Sequence, residues 1–411
     1  MNKNTGIATQ EVTCSKCGGV IKRFLKASAY SIICPHCQTT YNAFSTNLEK
    51  TNVTFKNIYQ AFDLVLGHKG IINDTSYLVV GICRKKELGT SFCWNEYLLF
   101  NPLKGYATLA EYNGHWNFIQ ELYTTPITSP DDAISYEGND YSFYSIYTTE
   151  TIQALGEFPF KMTSSNVKVT EYICPPYMLS VESSAEENVW YKGEYIKGNE
   201  IKKGFGLEKI KPRTGIGANQ PFVSGFTPRA LGKFVLVVML IFCISHLIFS
   251  YNAEEKVVFD ETYNIWDSTA QKEIYTQPFK LSPGSKNLEI RINTDVDNAW
   301  MYTGITLVNE ANGDTYDVDI EAEYYHGYED GASWSEGSSW NAKVFSQIPG
   351  GNYYLIIYPD KQSNARPTHL EVIVTRDVTI TSNLVVSLAI LLIFPAIYFY
   401  RRQSFESKRG M

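Results

Sequence analysis

The chain has 411 residues and a formal net charge of −7, and aromatic residues, including 29 Tyr and 22 Phe, make up 14% of it. This length argues against a single small domain and allows two to four domains, while the aromatic content favours a mainly β fold. The acidic charge is concentrated in residues 251–377, which contain none of the eight cysteines, so a disulfide framework is excluded there.

Two Cys-x-x-Cys motifs mark the N-terminal region, and 16 residues separate them. Such a pair brings four thiolates to about 2.3 Å from one zinc ion and leaves no position for water or substrate. We therefore predict a zinc ribbon over residues 10–45 that holds a structural zinc, in preference to a redox dithiol. His36 is expected to be solvated rather than a ligand. The predicted ligands are Cys14, Cys17, Cys34 and Cys37.

Residues 50–200 are predicted to form a cytoplasmic β-rich domain of tandem β-roll or barrel-like type. Residues 67–81 alternate and turn like successive strands, Trp94–Phe100 is an apolar strand, and Tyr106–Trp116 contains a turn signal. These segments predict a meander of four or five strands. Residues 134–195 repeat the pattern loosely, which indicates a weak internal duplication.

Two long apolar segments follow this domain. Residues 201–230 are rich in Gly, Lys and Pro and are predicted to be a basic juxtamembrane linker. Residues 231–251 and 380–400 each contain an uncharged apolar run of about the 20 residues that cross a bilayer as a helix. We interpret both as transmembrane helices, rather than as buried helices of a soluble fold, and expect Pro395 to kink the second.

The charges beside the two spans predict their orientation. Seven Lys and Arg residues between positions 202 and 233 precede or enter the first span, and the tail 401–411 carries four more. Such flanks stay in the cytoplasm, and residues 1–18 show no signal peptide pattern. We therefore predict a multi-pass protein of the bacterial inner (cytoplasmic) membrane with cytoplasmic N- and C-termini.

Residues 252–377, between the spans, contain six alternating segments separated by turn-rich breaks, which predicts an extracytoplasmic β-sandwich. Within them, residues 324–340 combine aromatic rings with carboxylates, groups that can hold a sugar, a polyamine or calcium. The alternative is a Tyr- and Trp-rich hairpin whose acids are solvated. The predicted ligand-binding residues are Tyr324, Tyr325, Glu329, Asp330, Trp334, Glu336 and Trp340.

No catalytic signature such as Gly-x-Ser-x-Gly or His-Glu-x-x-His is found, and we predict no catalytic residues. Cys83 and Cys93, ten residues apart in a predicted hairpin, allow a redox pair, but reduced core thiols are favoured. An enzyme in the β-rich domain would instead require convergent polar residues with shifted pKa values in a pocket.

The two Cys-x-x-Cys motifs, Gly67–Gly81, Trp94-Asn-Glu-Tyr97 and Gly114-His-Trp116 resemble a bacterial family known only as domain of unknown function forty-one seventy-eight. Asp295–Trp300, Tyr324–Gly327 and Trp334–Gly337 resemble the C-terminal part of its longer members. The resemblance covers most of the chain. It implies a long membrane-anchored member with an N-terminal zinc ribbon, a link to genes for polyamine synthesis and small membrane proteins, and no assigned activity.

These features predict a non-enzymatic membrane scaffold or sensor that couples the outer sandwich to a zinc-ribbon head. The head is expected to bind protein partners in the same membrane or in the cytoplasm, with nucleic acid the weaker alternative. One alternative function is a binding module for a small, polyamine-like cation or an envelope ligand at the acidic outer domain. A second is an unrecognised enzyme in the cytoplasmic β-rich domain. Neither span contains Gly-x-x-x-Gly, so no oligomeric state is predicted.

Overall fold

The protein is mainly β, with 53% of its residues in strands and 16% in helices, which confirms the predicted fold class. The chain divides into two compact units, residues 1–225 with 399–411 and residues 226–398. The computed structural model describes residues 10–25, 29–44, 48–55, 62–128, 134–163, 165–184, 187–265, 273–361 and 367–409.

The first unit begins with two small hairpins around the Cys-x-x-Cys motifs. β1 (Gln10–Thr13) pairs with β2 (Val20–Arg23), and β3 (Ser31–Ile33) pairs with β4 (Thr39–Asn42), beside which lies β5 (Glu49–Thr54). β3 also pairs with a long strand of the next domain. The second hairpin is therefore continuous with the main sheet of this unit.

Eleven strands and one short helix follow in the described part of residues 62–204. They are β6 (Lys69–Ile72), β7 (Thr75–Glu87), β8 (Cys93–Asn101), β9 (Gly105–Tyr112), β10 (His115–Glu121), β11 (Ile127–Thr128), β12 (Ile134–Tyr136), β13 (Asn139–Phe158), β14 (Val167–Cys174), β15 (Tyr177–Ser183), β16 (Asn188–Ile196) and α1 (Gly198–Gly204).

Eight of these strands close into an antiparallel barrel. β7 to β10 form one four-stranded meander and β13 to β16 form a second. The last strands of the meanders pair with each other, β10 with β16, and so do the first strands, β7 with β13. The resulting ring, β7-β8-β9-β10-β16-β15-β14-β13, has no free edge, which removes the risk of pairing with another chain.

The outer face of the first meander is covered by neighbouring chain segments. Tyr97 and Trp116 stack there with ring centroids 5.8 Å apart, and both are fully buried. Leu64 packs on them from before the barrel, and Ile201 and Phe205 pack from α1 and the residue after it. This first meander thus has an outer apolar core, and its inner face is free to carry polar side chains.

Two long apolar helices precede and follow the strands of the second unit in the chain. α2 (Pro228–Asn252) begins with Pro at its first position, and the Thr227 hydroxyl accepts a hydrogen bond from the Ala230 N–H at 3.2 Å. α3 (Thr381–Ser407) contains Pro395 and continues seven residues beyond the predicted end of the span at 400. Both helices are long and apolar enough to cross a membrane.

Ten strands between the helices form a two-sheet sandwich. They are β17 (Lys256–Asn264), β18 (Ile274–Tyr275), β19 (Phe279–Leu281), β20 (Lys286–Thr294), β21 (Ala299–Asn309), β22 (Thr315–Glu329), β23 (Ala332–Ser338), β24 (Trp340–Ile348), β25 (Gly351–Lys361) and β26 (His369–Arg376). One sheet has the order β17-β26-β20-β24, and the other has β18-β25-β21-β22-β23 with β19 beside β25. Alternate side chains of both sheets fill a shared core that includes Ile290, Ile305 and Leu355. All six predicted strand segments lie in these strands.

Candidate metal centre and barrel lumen

The four cysteine thiols of the N-terminal hairpins converge on one point. Their sulfur atoms all lie within 4.8 Å of one another. The Cys14 and Cys37 sulfurs are 3.6 Å apart, and the Cys17 and Cys34 sulfurs are 3.8 Å apart. A tetrahedral ion with bonds of about 2.3 Å requires sulfur separations of about 3.8 Å, whereas a disulfide requires about 2.05 Å. The cluster therefore fits a metal ion and does not fit a pair of disulfides.

The backbone of each motif is folded to present its thiols. The Gly18 N–H donates to the Cys14 carbonyl and the Gln38 N–H donates to the Cys34 carbonyl, both at 2.9 Å. Gly18 and Gln38, which follow the second cysteine of each motif, have φ of 72° and 54°. This left-handed conformation suits Gly18 and closes each turn tightly.

Hydroxyl groups lie next to two of the four thiols. The Tyr41 hydroxyl lies 3.1 Å from the Cys14 sulfur, and Thr39 Oγ1 lies 3.3 Å from the Cys37 sulfur. Burial raises the pKa of Cys14, but the Tyr41 hydroxyl and backbone N–H groups outweigh it and lower that pKa to about 6. Burial raises the pKa of Cys34 to about 12. A cation at the centre would favour the thiolate at all four positions. His36 is exposed and is not among the converging groups.

A buried carboxylate joins the first hairpin to the barrel. Glu157, on β13, is fully buried, and it accepts hydrogen bonds from the Leu25 and Phe24 N–H groups at 2.7 and 2.9 Å. Arg23 Nε lies 3.3 Å from the same carboxylate. Hydrogen bonding and charge pairing at one buried group fix the position of β2 relative to β13.

The lumen of the barrel contains a second cluster of ionisable side chains. Lys85 Nζ, from β7, lies 3.2 Å from Glu96 of β8 and 3.0 Å from Glu182 of β15. β7 and β15 are separated by two strands along one side of the ring and four along the other. The ion pair between Lys85 and Glu182 therefore crosses the lumen, which identifies the inward face of each strand.

Water reaches this cluster. The side chains of Lys85 and Glu96 are each 18% exposed, and that of Glu182 is 31% exposed. Thr108, Ala110 and other neighbours on the inward face are also only partly buried. By contrast, Leu109 and Trp116 on the outward face are fully buried. The lumen is thus polar and accessible, while the outside of the first meander is the packed surface.

A further carboxylate in the lumen has neutral hydrogen-bond donors. Glu171 of β14 accepts hydrogen bonds from the Tyr147 hydroxyl at 2.9 Å and the Ser145 hydroxyl at 3.1 Å. Burial raises the pKa of Glu171, and these two hydrogen bonds oppose that rise. Among the residues described, no Lys, Arg or His nitrogen lies within 4.0 Å of this carboxylate.

The pKa values in the lumen oppose nucleophilic catalysis. Burial by itself would lower the pKa of Lys85, but Glu96 and Glu182 raise it well above its ordinary value. Burial and Glu96 raise the pKa of the Cys83 thiol. A nucleophilic Lys or Cys needs the opposite shift, since the neutral amine or the thiolate is the reactive form. The convergent cluster that an enzyme would require is present, but neither Lys85 nor Cys83 is shifted towards its nucleophilic form.

Sequence reasoning missed this lumen because its residues are far apart in the chain. Lys85, Glu96, Tyr147, Glu171 and Glu182 show no motif spacing, and only the closure of β7 against β13 brings them together.

The pairing of β7 with β8 separates the two cysteines of the predicted hairpin. Cys83 lies opposite Glu96, and Cys93 lies opposite Lys86. They therefore project to opposite faces of the sheet, which excludes a direct redox pair.

The seven predicted ligand-binding residues of the sandwich do not all share one surface. Tyr325 lies opposite Glu336 and Gly327 lies opposite Trp334 across the β22–β23 hairpin, so these side chains and Glu329 share a face. Tyr324 lies on the other face and packs against the sandwich core. Asp330 is at the turn, with φ 49°. Trp340 belongs to the other sheet, and the Arg291 guanidinium lies over its ring, 5.4 Å from the centroid.

An acidic aromatic face on the same sheet was not predicted as a site. Four carboxylates alternate along β22 and are exposed, and Trp300, Tyr302 and Asp360 lie beside them on β21 and β25. These three residues, with Glu321 and Glu323, border an open depression of about 430 Å³. The sequence does contain a pattern that marks this face, because acidic residues occupy every second position of a segment that reads as a strand. The four carboxylates are Asp317, Asp319, Glu321 and Glu323.

The part of the sequence that forms the barrel matches a known protein family. Residues 65–198, which span β6 to β16, match the family described as Domain of unknown function (DUF4178). The barrel region therefore matches the DUF4178 family model. The match confirms the expected family but is narrower than the resemblance suggested, since both Cys-x-x-Cys motifs and the whole segment between the helices lie outside it. The family description assigns no activity to the DUF4178 barrel.

Other comparisons add no function. No curated protein matches the chain. The structure of PNGF-II is similar at 8% identity over 73% of this chain and 68% of that chain, with a TM-score of 0.22. The insecticidal delta-endotoxin Cry8Ea1 from Bacillus thuringiensis has 6% identity, coverage of 74% and 53%, and a TM-score of 0.17. A carbohydrate-binding module of the β-sandwich superfamily has 9% identity, coverage of 63% and 96%, and a TM-score of 0.13.

Proposed function

We propose that the protein is a two-span inner-membrane sensor or scaffold whose DUF4178 barrel and zinc ribbon lie in the cytoplasm and whose β-sandwich lies outside. In this proposal the protein binds partners and small ligands and has no catalytic role. The two apolar helices, the basic flanks and the acidic, cysteine-free segment between the helices support this arrangement.

The observation that carries the proposal is a clamp at the end of α3. Arg409 Nη1 donates to the carbonyl oxygens of Gly217, Ala218 and Gln220 at 3.2, 2.8 and 2.9 Å. Its remaining donors bind Glu406, and its side chain is 6% exposed. The segment that follows the second span is thereby fastened to the linker that precedes the first span.

The opposite ends of the helices are also tied together. The Glu254 N–H, just after α2, donates to the Asp377 carboxylate at 3.1 Å, and the Thr379 hydroxyl, just before α3, donates to Glu255 at 2.9 Å. Ties at both ends suit a helical hairpin that crosses the bilayer twice, with the sandwich on one side and both termini on the other. Such a hairpin offers a physical link for a signal between the two sides.

We infer that the metal at the four thiols is zinc and that its role is structural. Four thiolates complete a tetrahedral shell, so the site leaves no position for substrate chemistry. Purified protein is expected to contain one zinc per chain, and a Cys34→Ser variant to contain much less. Iron or no metal in the wild-type protein would contradict this assignment.

Thiol labelling in intact cells tests the topology. All native cysteines lie outside residues 251–377, so the wild-type protein should resist a membrane-impermeant maleimide until the cells are lysed. A Tyr328→Cys variant, at a 75% exposed position of the sandwich, should react in intact cells. A Leu103→Cys variant, at a 94% exposed position of the barrel, is the matched control and should react only after lysis. The reverse pattern would refute the orientation.

A second candidate function is the binding of a polyamine-like cation at the acidic face of the sandwich. The alternating carboxylates of β22 beside Trp300 and Tyr302 support it, because ammonium groups bind both carboxylates and aromatic faces. Titration of the protein with spermidine should then show binding that a Glu321→Gln/Glu323→Gln variant loses. Equal binding by the variant would exclude this face.

A further inference from the structure

We propose that the lumen of the DUF4178 barrel is a binding site for a small organic cation that carries a primary ammonium group. This goes beyond the membrane role proposed above and does not depend on it. The interior of a closed eight-stranded barrel is either filled by its own side chains or holds one small ligand, and barrel mouths are common ligand sites.

The charge balance of the lumen favours a cation. Glu96, Glu171 and Glu182 face inward, and Glu87 lies on the same alternating face of β7 as Lys85. Within the described strands of the barrel, Lys85 is the only Lys or Arg on that face. Lys85 is already held by Glu96 and Glu182. Arg213 of the linker adds a second cation at the inward-facing Tyr195. The four carboxylates still outnumber the two cations in a partly water-excluded space, where a compensating cation is most valuable.

Several acceptor atoms in the lumen have unused capacity, and a ligand that donates hydrogen bonds would satisfy them. Glu171 receives only neutral hydroxyl groups and retains capacity for a charged donor. Asn117 and Glu96 both lie directly opposite Ala110, on the two strands that flank it, so they share the inward face. The Asn117 Oδ1 atom is buried and has no hydrogen-bond partner in the described structure. Thr149, 2% exposed and on the same alternating face of β13 as Tyr147, also has an unpartnered hydroxyl. An ammonium group offers three donors to such acceptors.

Aromatic side chains provide the rest of the wall. Trp94, on the inward face of β8, meets Tyr147 edge to face with ring centroids 5.9 Å apart. Tyr191 of β16 lies on the inward face beside Ser180. Aromatic faces attract cations, and aliphatic carbons of the ligand would bury against the same rings. Leu25, Phe55 and Leu98 pack together at one end of the lumen, so in this proposal the ligand enters from the other end.

Three probes of equal size separate the charge requirement from simple burial. Full-length protein in a mild non-ionic detergent is titrated calorimetrically with n-butylammonium, n-butanol and n-butyrate. We expect n-butylammonium to bind with one site per chain, and the neutral and anionic analogues to bind at least about tenfold more weakly, since a charge-assisted hydrogen bond contributes that much. Equal binding of all three, or preferential binding of n-butyrate, would overturn the proposal.

Matched variants locate the site. Glu171→Gln keeps an acceptor for Tyr147 and Ser145 but removes the charge, and should weaken n-butylammonium binding about tenfold. Asn117→Ala removes a different acceptor, the Asn117 Oδ1 atom, and serves as a second lumen variant. Glu321→Gln/Glu323→Gln, on the sandwich, should leave binding unchanged. If the sandwich variant instead loses binding and both lumen variants keep it, the cation site is on the acidic face and the lumen proposal fails. Absence of n-butylammonium binding by the wild-type protein would also refute it.

Discussion

Glu157 offers the sharpest test of how the ribbon is attached to the barrel. A Glu157→Ala substitution removes the acceptor of the Phe24 and Leu25 N–H groups and the partner of Arg23, all at a fully buried position. Each backbone N–H left without a partner costs about 1–3 kcal/mol, and Arg23, whose side chain is 10% exposed, loses its counter-charge. We expect a total loss of about 4–6 kcal/mol for the first unit.

Calorimetric unfolding of the full-length protein measures this loss. For a unit of this size, about 1 kcal/mol shifts the Tm by roughly 2–4 °C, so the transition of the first unit should fall by roughly 10–20 °C. The sandwich, a separate unit, should unfold at its wild-type temperature and thus acts as an internal control. Glu150→Ala, on the same strand at a half-buried position, is the matched variant and should shift the transition by less than about 3 °C. A Glu157→Ala protein that unfolds like wild type would refute the reasoning.

Three further predictions concern the metal, the clamp and the lumen. Chelation of the metal should lower the unfolding temperature of the first unit and leave the sandwich unchanged, as followed by calorimetry before and after zinc is restored. Arg409→Ala should increase hydrogen exchange at residues 217–220, whereas Arg402→Ala, at an exposed position before the clamp, should not. Glu171→Gln should stabilise the protein at pH 8 and much less at pH 5. The pKa of Glu171 is raised by burial, so the wild-type protein loses stability as the pH rises through that pKa, and the variant does not.

Much of the fold could be predicted because its signals are local. Alternation of apolar residues identified all six sandwich segments, and two uncharged runs identified α2 and α3. The spacing of the cysteines predicted a cluster that the structure brings within 4.8 Å. Each of these signals depends on residues close together in sequence, where periodicity and spacing determine the local conformation. α3 continues to Ser407, seven residues beyond the predicted span, because Arg401 and Arg402 are compatible with a helix that extends past its apolar run.

The candidate sites could not be predicted for a different reason. Barrel closure depends on the pairing of Gly81 with Gly156, 75 residues apart, where both strands come too close for any larger side chain. Nothing in the local sequence specifies that partner. Once the pairing is known, alternation alone assigns Lys85 to the lumen and Arg84 to the outside. Register is a long-range property, and a shift of one residue would exchange the two faces.

The arrangement of the first unit implies that the metal and the lumen are energetically coupled. The N-terminal hairpins contribute Leu25 and Ile33, and the residue after β5 contributes Phe55, to the same apolar cluster as Leu78 and Leu98 of the barrel. Leu98 lies two residues from Glu96 on the same inward face, so this cluster forms the floor beneath the polar part of the lumen. A unit of this length has too small a core to hold its shape alone and would depend on the proposed metal. Removal of that metal should therefore loosen the floor and weaken the binding of n-butylammonium in the lumen, although the four cysteines lie outside the barrel strands.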